Sequence, residues 1–174
     1  MIIALIGFRC AGKSTIGKIL AEKLDLRHVD LDKYIEGEND KSITDILSSK
    51  GESVFRDMET VALKMAIKHD NSVIACGGGV VMREENIKLL RQGAVVVWLE
   101  ASARTIAERM QKDASNGYKR PSLTNLGPIM EITTLLAQRL PFYAGARHVG
   151  FKTDENTPDE IVARIITYLK NRKK

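Results

Sequence analysis

The chain opens with Met1-Ile-Ile-Ala-Leu-Ile-Gly7-Phe-Arg-Cys-Ala-Gly12-Lys13-Ser14-Thr15. Its apolar residues Ile2–Ile6 predict a short buried strand, and the residues from Lys13 onward predict a helix. Between them the chain has the spacing G-x-x-x-x-G-K-[S/T] of a phosphate-binding loop. In such a loop, backbone N–H groups at a helix N-terminus converge on a polyphosphate. The opening stretch therefore predicts a nucleoside triphosphate site within an α/β fold.

The motif also assigns roles to its members. The ammonium group of Lys13 would neutralise the β- and γ-phosphates, and the hydroxyl group of Ser14 would ligate Mg²⁺. Loop N–H groups would bind phosphate oxygens, because a glycine-bearing turn lets the backbone approach them closely. We therefore predict a nucleotide site made of Gly7, Cys10, Ala11, Gly12, Lys13, Ser14 and Thr15.

The composition is typical of a single soluble domain. The chain has 174 residues, of which 44% are hydrophobic and 28% charged, and no apolar run approaches the roughly 18 residues of a membrane span. The first strand lacks a basic leader, so we predict no signal peptide. Cys10 and Cys76 are too few for a disulfide framework, and no metal-ligand spacing is present. We expect one domain over residues 1–174, in a reducing cytoplasm and without a membrane partner.

The net charge is +5, and the C-terminal stretch Lys170–Lys174 contributes four positive charges. This stretch is either an arm for nucleic acid or a cationic helix end that favours the helix dipole. We prefer the second interpretation and expect no nucleic-acid partner. A modest basic excess also suits an enzyme whose ligands are anions.

Apolar strand-like runs alternate with amphipathic helical runs, which indicates a parallel sheet covered by helices. The predicted strands are 2–6, 27–30, 72–76, 94–99 and 148–152. The predicted helices are 13–24, 52–68, 84–91, 102–111, 128–140 and 158–170. The last helix has a clear start, with Thr157 as N-cap, Pro158 at the first helical position and Glu160 completing a capping box. Residues 33–50, short-helical and polar, and the loop 113–127 fit this scheme poorly, and we expect both to be mobile elements over the site.

An acidic pair, Asp30 and Asp32, ends the second predicted strand. Ligands gather at the carboxyl ends of parallel strands, and a spacing of two turns both carboxylates to one side if the backbone stays extended. One carboxylate would hold Mg²⁺ through water and the other would accept a proton from a substrate hydroxyl. The alternative is an Asx turn or the cap of a following helix.

Arg56 lies early in a predicted helix, with Glu52 and Glu59 one turn away on either side. The core stripe predicted for this helix is Val54, Met58, Val61 and Met65. Arg56 points away from that stripe, so the helix alone favours a surface salt-bridge cluster. Placed near the acidic pair, Arg56 could instead bind a substrate carboxylate with two hydrogen bonds, with Glu59 orienting it.

Cys76 is followed by Gly77, Gly78 and Gly79 at the end of the third strand. Three glycines let a ligand approach backbone N–H groups closely, whereas a tight strand-to-helix turn would need one. We favour the ligand interpretation.

Three arginines are further candidates. Arg139 projects into the apolar sector of the helix that carries Ile129, Ile132, Leu136 and Leu140, and a buried guanidinium needs an anion, either a ligand or an acid from elsewhere in the fold. Arg109 could stack on an adenine ring or simply pack on the surface. Arg120, in Lys119-Arg120-Pro121, is either a lid cation that closes over the transferring phosphoryl group or part of a solvated basic loop.

Together these segments resemble the shikimate kinase family over essentially the whole chain. The motifs are Gly7-Phe-Arg-Cys-Ala-Gly-Lys-Ser14, Asp30-x-Asp32, Phe55-Arg56-x-x-Glu59, Gly77-Gly-Gly79, Arg120-Pro121 and Arg139-x-Pro141-x-Tyr143. The phosphate loop is common to many nucleotidases, but the other five motifs at these intervals are specific. The resemblance implies transfer of the γ-phosphoryl group of MgATP to the 3-hydroxyl of shikimate, in the pathway to chorismate and the aromatic amino acids. It also implies a three-layer αβα fold whose five-stranded parallel sheet has the order 2-3-1-4-5, as in nucleoside monophosphate kinases, and we expect a monomer.

The resemblance assigns roles by position. Asp32 would bind the shikimate hydroxyl and accept its proton, and Arg56 and Arg139 would clamp the carboxylate. The glycines Gly77, Gly78 and Gly79 would line the substrate site, the last two through their N–H groups. On the nucleotide side, Lys13 and Ser14 would act as above, Asp30 would lie near the metal, Arg109 would contact adenine and Arg120 would close the lid. The substrate-binding segment would be about 32–60 and the lid about 112–127.

The sequence departs from the family pattern at Cys10, where glycine is common, at Ser122 in the lid, and at Arg147, where alanine is usual. Because Cys10 lies beside Lys13 and a helix N-terminus, we expect a lowered thiol pKa.

Two rival functions stay open at this point. One is another small-acid kinase on this fold, such as gluconate kinase. The other is a nucleotide-binding regulatory module without turnover, against which the presence of Lys13, Asp32, Arg56 and Arg139 argues.

Overall fold

The predicted strands pair into one parallel sheet in a computed structural model of the chain, which describes residues 1–115 and 128–172. The five strands are β1 (Ile2–Ile6), β2 (Arg27–Asp30), β3 (Ser72–Ala75), β4 (Val95–Glu100) and β5 (Val149–Lys152). Their spatial order is β2-β3-β1-β4-β5, which confirms the predicted 2-3-1-4-5 arrangement.

Seven helices of the described residues surround the sheet: α1 (Lys13–Leu24), α2 (Leu31–Asn39), α3 (Ile43–Ile67), α4 (Glu84–Gly93), α5 (Ala103–Ser115), α6 (Pro128–Ala146) and α7 (Pro158–Arg172). A short 3₁₀ turn covers Val80–Met82. The predicted capping box of α7 is confirmed, because the Thr157 N–H donates to Glu160 Oε2 at 2.7 Å and the Glu160 N–H donates to Thr157 Oγ1 at 3.3 Å. Helix α6 runs six residues beyond its predicted end, through Pro141. It continues because Tyr143 and Ala146 are fully buried against the sheet.

Residues 33–50, whose polar pattern fits the alternation of strands and helices poorly, form most of α2 and the start of α3. The Ser42 hydroxyl caps α3 by accepting a hydrogen bond from the Asp45 N–H at 3.1 Å. Gly51, at φ 81°, interrupts the helix with a kink. The second half of α3 therefore begins at Glu52, where the sequence predicted a helix start.

The sheet is covered on both faces, which gives the three layers. On β1, Ile2, Ala4 and Ile6 face the core under α2, α3, α4 and α6, whereas Ile3 and Leu5 face the core under α1 and α7. Alternating side chains of a strand point to opposite faces, so an apolar β1 serves both cores. Among the described residues, no helix is long and apolar enough to cross a lipid bilayer.

The face of α3 that packs on the core differs from the predicted one. Val54, Val61 and Met65 are exposed, by 39%, 60% and 42%. The buried residues of α3 beyond the kink are instead Phe55, Glu59, Thr60, Ala62, Leu63 and Ala66. The predicted core stripe was therefore wrong for these three residues, whereas its fourth member, Met58, packs against the core. A second apolar stripe occupies the core and brings the Glu59 carboxylate with it.

Candidate active site

The phosphate-binding loop joins β1 to α1. Gly12, the N-cap residue of α1, has φ 97° and provides no side-chain cap, so the first N–H groups of α1 point toward the loop without a side-chain acceptor at that position. Lys13 Nζ donates to the carbonyl oxygens of Gly7 and Phe8, both at 2.8 Å. The loop thus has the donors and the positive charge that bind a polyphosphate.

Cys10 has φ 61°, in the left-handed region that favours glycine. This conformation explains why glycine suits the position. The Cys10 thiol donates to Asp113 Oδ2 at 3.5 Å.

Asp30 connects the loop to the next strand. The Ser14 hydroxyl donates to Asp30 Oδ2 at 2.6 Å, and Asp30 Oδ1 accepts a hydrogen bond from the Lys33 N–H at 3.3 Å. Asp30 is therefore the N-cap of α2, which begins at Leu31. The expectation of an extended backbone through Asp32 was wrong, since Asp32 lies in the first turn of a helix; the alternative of a helix cap holds for Asp30.

A cleft of about 410 Å³ lies in front of the loop. Its lining includes most of the predicted nucleotide site together with both aspartates: Cys10, Ala11, Gly12, Lys13, Ser14, Thr15, Asp30, Asp32 and Arg109. Its volume is within the usual range for a small-molecule site. The structure thus brings residues of the phosphate-binding loop, α1, β2, α2 and α5 to one cavity.

Arg109 borders this cleft and donates hydrogen bonds both to the phosphate-binding loop and to the residue that follows β5. Its Nη1 donates to the Cys10 carbonyl and to Thr153 Oγ1, each at 3.1 Å, and its Nη2 donates to the Thr153 carbonyl at 2.7 Å. These contacts hold the guanidinium plane at the cleft wall, as adenine stacking would require. Thr153, which follows β5, was not a predicted site residue.

Arg56 and Glu59 form a largely buried ion pair in α3, beside the glycine turn that follows β3. Arg56 Nη1 donates to Glu59 Oε2, and Arg56 Nη2 pairs with Glu52 at 2.8 Å. The Glu59 side chain is 2% exposed and that of Arg56 is 14% exposed. The ion pairs of the surface-cluster interpretation are present, but its surface location was wrong for Arg56 and Glu59. Burial raises the pKa of Glu59, while Arg56 and, more weakly, Arg139 oppose the shift.

Two of the three glycines leave space for these side chains, whereas Gly78 lies against the backbone of the phosphate-binding loop. A Cβ on Gly77 would clash with Glu59 Oε1 and lie 2.8 Å from Asp32 Oδ1, and a Cβ on Gly79 would clash with the Arg56 guanidinium. Gly77 and Gly79 therefore admit protein side chains to the turn, a reason that the sequence analysis did not identify. Asp32 and Glu59 lie against Gly77, Arg56 lies against Gly79, and Arg139 contacts the Gly78 carbonyl, so these side chains gather around the glycine turn.

Arg139 is 8% exposed, which confirms its predicted burial. Its Nη1 donates to the Gly78 carbonyl at 3.3 Å, and its guanidinium lies 5.4 Å from the centroid of the Phe8 ring. The apolar stripe from which we predicted the direction of Arg139 is only partly buried, because Ile129 and Leu140 are exposed. The arginine is buried because α6 packs over the glycine turn.

Two further residues border the site without having been predicted. Arg9 of the phosphate loop pairs with Glu131 of α6 at 2.6 Å, and Glu131 is nearly fully buried. The two residues are 122 positions apart, so no local pattern could have paired them. Arg120 and Lys119 lie outside the described residues, as does most of the predicted lid 112–127.

The chain matches the family described as shikimate kinase over residues 9–170. It is similar to a shikimate kinase of Symbiobacterium thermophilum, with 37% identity over 172 residues that cover 99% of this chain and 98% of that protein. It is also similar to one from Thermodesulfovibrio yellowstonii, with 40% identity over 164 residues that cover 94% of this chain and 92% of the other.

Solved structures agree with this match. The fold resembles that of the Acinetobacter baumannii shikimate kinase in complex with shikimate, with TM-score 0.91 and 30% identity over 99% of this chain and 94% of the other. The Aquifex aeolicus shikimate kinase has TM-score 0.82 and 30% identity, over 99% of this chain and 98% of the other. Because the family match and relatives above 30% identity extend over nearly all of both chains, this chain belongs to the shikimate kinase family.

Proposed function

We propose that this chain transfers the γ-phosphoryl group of ATP to the 3-hydroxyl of shikimate, giving shikimate 3-phosphate and ADP. The observation that carries the proposal is the group of Asp32, Arg56 and Arg139 with buried Glu59 around the glycine turn, next to the cleft of the phosphate loop. Two arginines with little exposure suit a carboxylate, and an aspartate beside them suits a hydroxyl. A small anionic alcohol combines both groups.

The residues divide the chemistry between them. Asp32 lines the nucleotide cleft and also lies against Gly77, so it is placed to accept the hydroxyl proton as the oxygen attacks phosphorus. Phosphoryl transfer depends mainly on positioning and on neutralising charge, so a positioned acceptor suffices. Lys13 would shift from the loop carbonyls to the phosphates, while Arg56 and Arg139 hold the substrate carboxylate.

The metal site is a finer part of the proposal. Ser14 and Asp30, whose oxygen atoms lie 2.6 Å apart at the start of α1, would hold Mg²⁺ there. Mg²⁺ usually takes one or two protein ligands, with phosphate oxygens and water completing its shell, and the described residues contain no denser cluster of metal ligands. The pair therefore fits the ion. Bound there, Mg²⁺ would neutralise charge on the phosphate oxygens.

The remaining assignments are proposals as well. The whole chain would act as one kinase domain, with residues 32–60 binding the substrate and Arg120 of the lid contacting the phosphates. Arg109 would stack on adenine. We also propose a cytoplasmic monomer that serves aromatic amino-acid synthesis. Cys10 and Cys76 are not joined in a disulfide, which fits a reducing compartment. Light scattering would test the monomer.

An ADP-release assay with shikimate present or absent tests the proposed reaction. We expect release to depend on shikimate, gluconate to be inert, and Lys13→Ala to abolish turnover. Phosphorylation of gluconate but not shikimate would favour the rival kinase. Nucleotide binding without turnover of either acid would favour a regulatory module.

A further inference from the structure

Tyr143 is the last residue of the motif Arg139-x-Pro141-x-Tyr143 and has no role so far. Its side chain is fully buried, and its ring stacks on Trp98 with centroids 5.8 Å apart and planes inclined by 20°. The hydroxyl group donates a hydrogen bond to the carbonyl oxygen of Gly78. The tyrosine thus connects the apolar core to the middle of the glycine turn.

Two residues of α6 bind the same carbonyl. Arg139 and Tyr143 are four positions apart, so their side chains lie on one face of the helix. Arg139 Nη1 donates to the Gly78 oxygen at 3.3 Å, and the Tyr143 hydroxyl makes the second hydrogen bond. A carbonyl oxygen has two lone pairs, so both of its acceptor positions are used and its direction is fixed toward α6.

The direction of that carbonyl fixes the next N–H group. The Gly78 carbonyl and the Gly79 N–H belong to one planar trans peptide unit and point in opposite directions. The Gly79 N–H is therefore directed away from α6, at a residue whose α-carbon lies against the Arg56 guanidinium. Among the described residues, no backbone acceptor pairs with this N–H, so it is available to a ligand.

We propose that Tyr143 is a positioning residue that holds the Gly78–Gly79 peptide so that the Gly79 N–H donates to an oxygen atom of the anionic substrate. The two donors on the carbonyl also polarise the peptide and strengthen its N–H as a donor. This inference rests on the proposed function, since the substrate supplies the acceptor.

The alternative is that Tyr143 only fills space beside Trp98. Phenylalanine would fill the same space and keep the ring stack, so this alternative predicts that the hydroxyl group has no effect on substrate binding. Burial raises the pKa of Tyr143 to about 12, so the hydroxyl stays a donor at any pH used for assay.

The test compares Tyr143→Phe with Tyr168→Phe, which changes a half-buried tyrosine of α7 remote from the site. Because one hydrogen bond is lost, we expect the KM and Kd for shikimate to rise about three- to tenfold in Tyr143→Phe. The KM for ATP should stay within about twofold, because the phosphate loop is untouched. Tyr168→Phe should have the same KM and Kd for shikimate and the same KM for ATP as the wild type. A wild-type shikimate KM in a folded Tyr143→Phe would overturn the inference, as would equal losses for both substrates.

A measurement on the wild-type protein does not depend on the variant folding. With ¹⁵N-labelled glycine, of which the chain has 13 residues, the Gly79 amide resonance should shift when shikimate is added, and in Tyr143→Phe it should start from a different position. A Gly79 resonance that shikimate leaves in place would overturn the inference even if the enzyme is active. Wild-type protein that does not bind shikimate at all would instead overturn the proposed function, and this inference with it.

Discussion

Replacing Gly79 by alanine tests whether the Arg56 guanidinium needs the space that the missing side chain leaves. A Cβ there would clash with the guanidinium, at 2.6 Å from Nη2 among other contacts. The φ of Gly79 is −104°, which alanine adopts without strain, so the backbone can stay and the guanidinium must move. Because that group ends a flexible side chain, the protein can still fold, but we expect some loss of stability from the weakened Arg56–Glu59 pair and a large loss of substrate binding.

The magnitude follows from what the displacement breaks. Moving the guanidinium to ordinary contact distance disrupts its ion pair with Glu59 and withdraws it from the substrate carboxylate. Removing one partner of a buried charge pair costs about 2–5 kcal/mol. Since Arg56 is displaced rather than deleted, we expect about 1.4–3 kcal/mol, which is roughly a 10- to 150-fold rise in the KM for shikimate.

The assay is coupled ADP release at varied shikimate and at varied ATP. The KM for ATP should change less than about twofold, because the phosphate loop keeps its geometry. Gly145→Ala is the matched control, since Gly145 lies exposed in α6 and an added Cβ meets no atom within 4 Å. An unchanged shikimate KM in a folded Gly79→Ala would refute the role of Arg56 in substrate binding.

Three further predictions concern neighbouring groups. Arg139→Ala should weaken shikimate binding by about 2–5 kcal/mol, because a desolvated carboxylate loses its charge partner; unchanged affinity by calorimetry would contradict this role. Because burial raises the folded-state pKa of Glu59, its contribution to stability is present below the unfolded pKa and is lost as pH rises through the folded value. Glu59→Gln should therefore flatten the fall in Tm as the pH rises above the ordinary glutamate pKa of 4.5, and a slope equal to that of the wild type would disprove the assignment. Iodoacetamide should inactivate the enzyme at Cys10, with ATP protecting, and should spare buried Cys76; mass spectrometry showing equal Cys10 labelling with and without ATP would argue against a thiol in the nucleotide site.

Local sequence patterns were enough to predict the architecture. The strand, loop and helix of residues 2–24 follow from apolar run, glycine spacing and amphipathic pattern, all within one short stretch of chain. The capping box at Thr157 and Glu160 spans four residues, and the structure has it as predicted. Such features depend on neighbours in sequence, so a single sequence contains them.

The sequence misled where two local patterns competed. In α3 an apolar stripe of Val54, Val61 and Met65 suggested the core face, yet these residues are exposed and Glu59 is buried. A buried carboxylate is costly unless it is paired, and part of its compensation comes from Arg139, in a helix far along the chain. Likewise, the spacing of Asp30 and Asp32 suggested that both lie in an extended strand, but α2 begins at Leu31, between them.

The phosphate loop, the order of elements and the family resemblance were thus determined by the sequence alone, because their signals are short-range or specific in spacing. Only the tertiary structure decided which face of α3 is buried, why Gly77 and Gly79 have no side chain, and that Tyr143 binds the Gly78 carbonyl. The physical reason is that burial, pairing of charges and direction of a peptide depend on contacts between elements distant in the chain, which no local pattern contains.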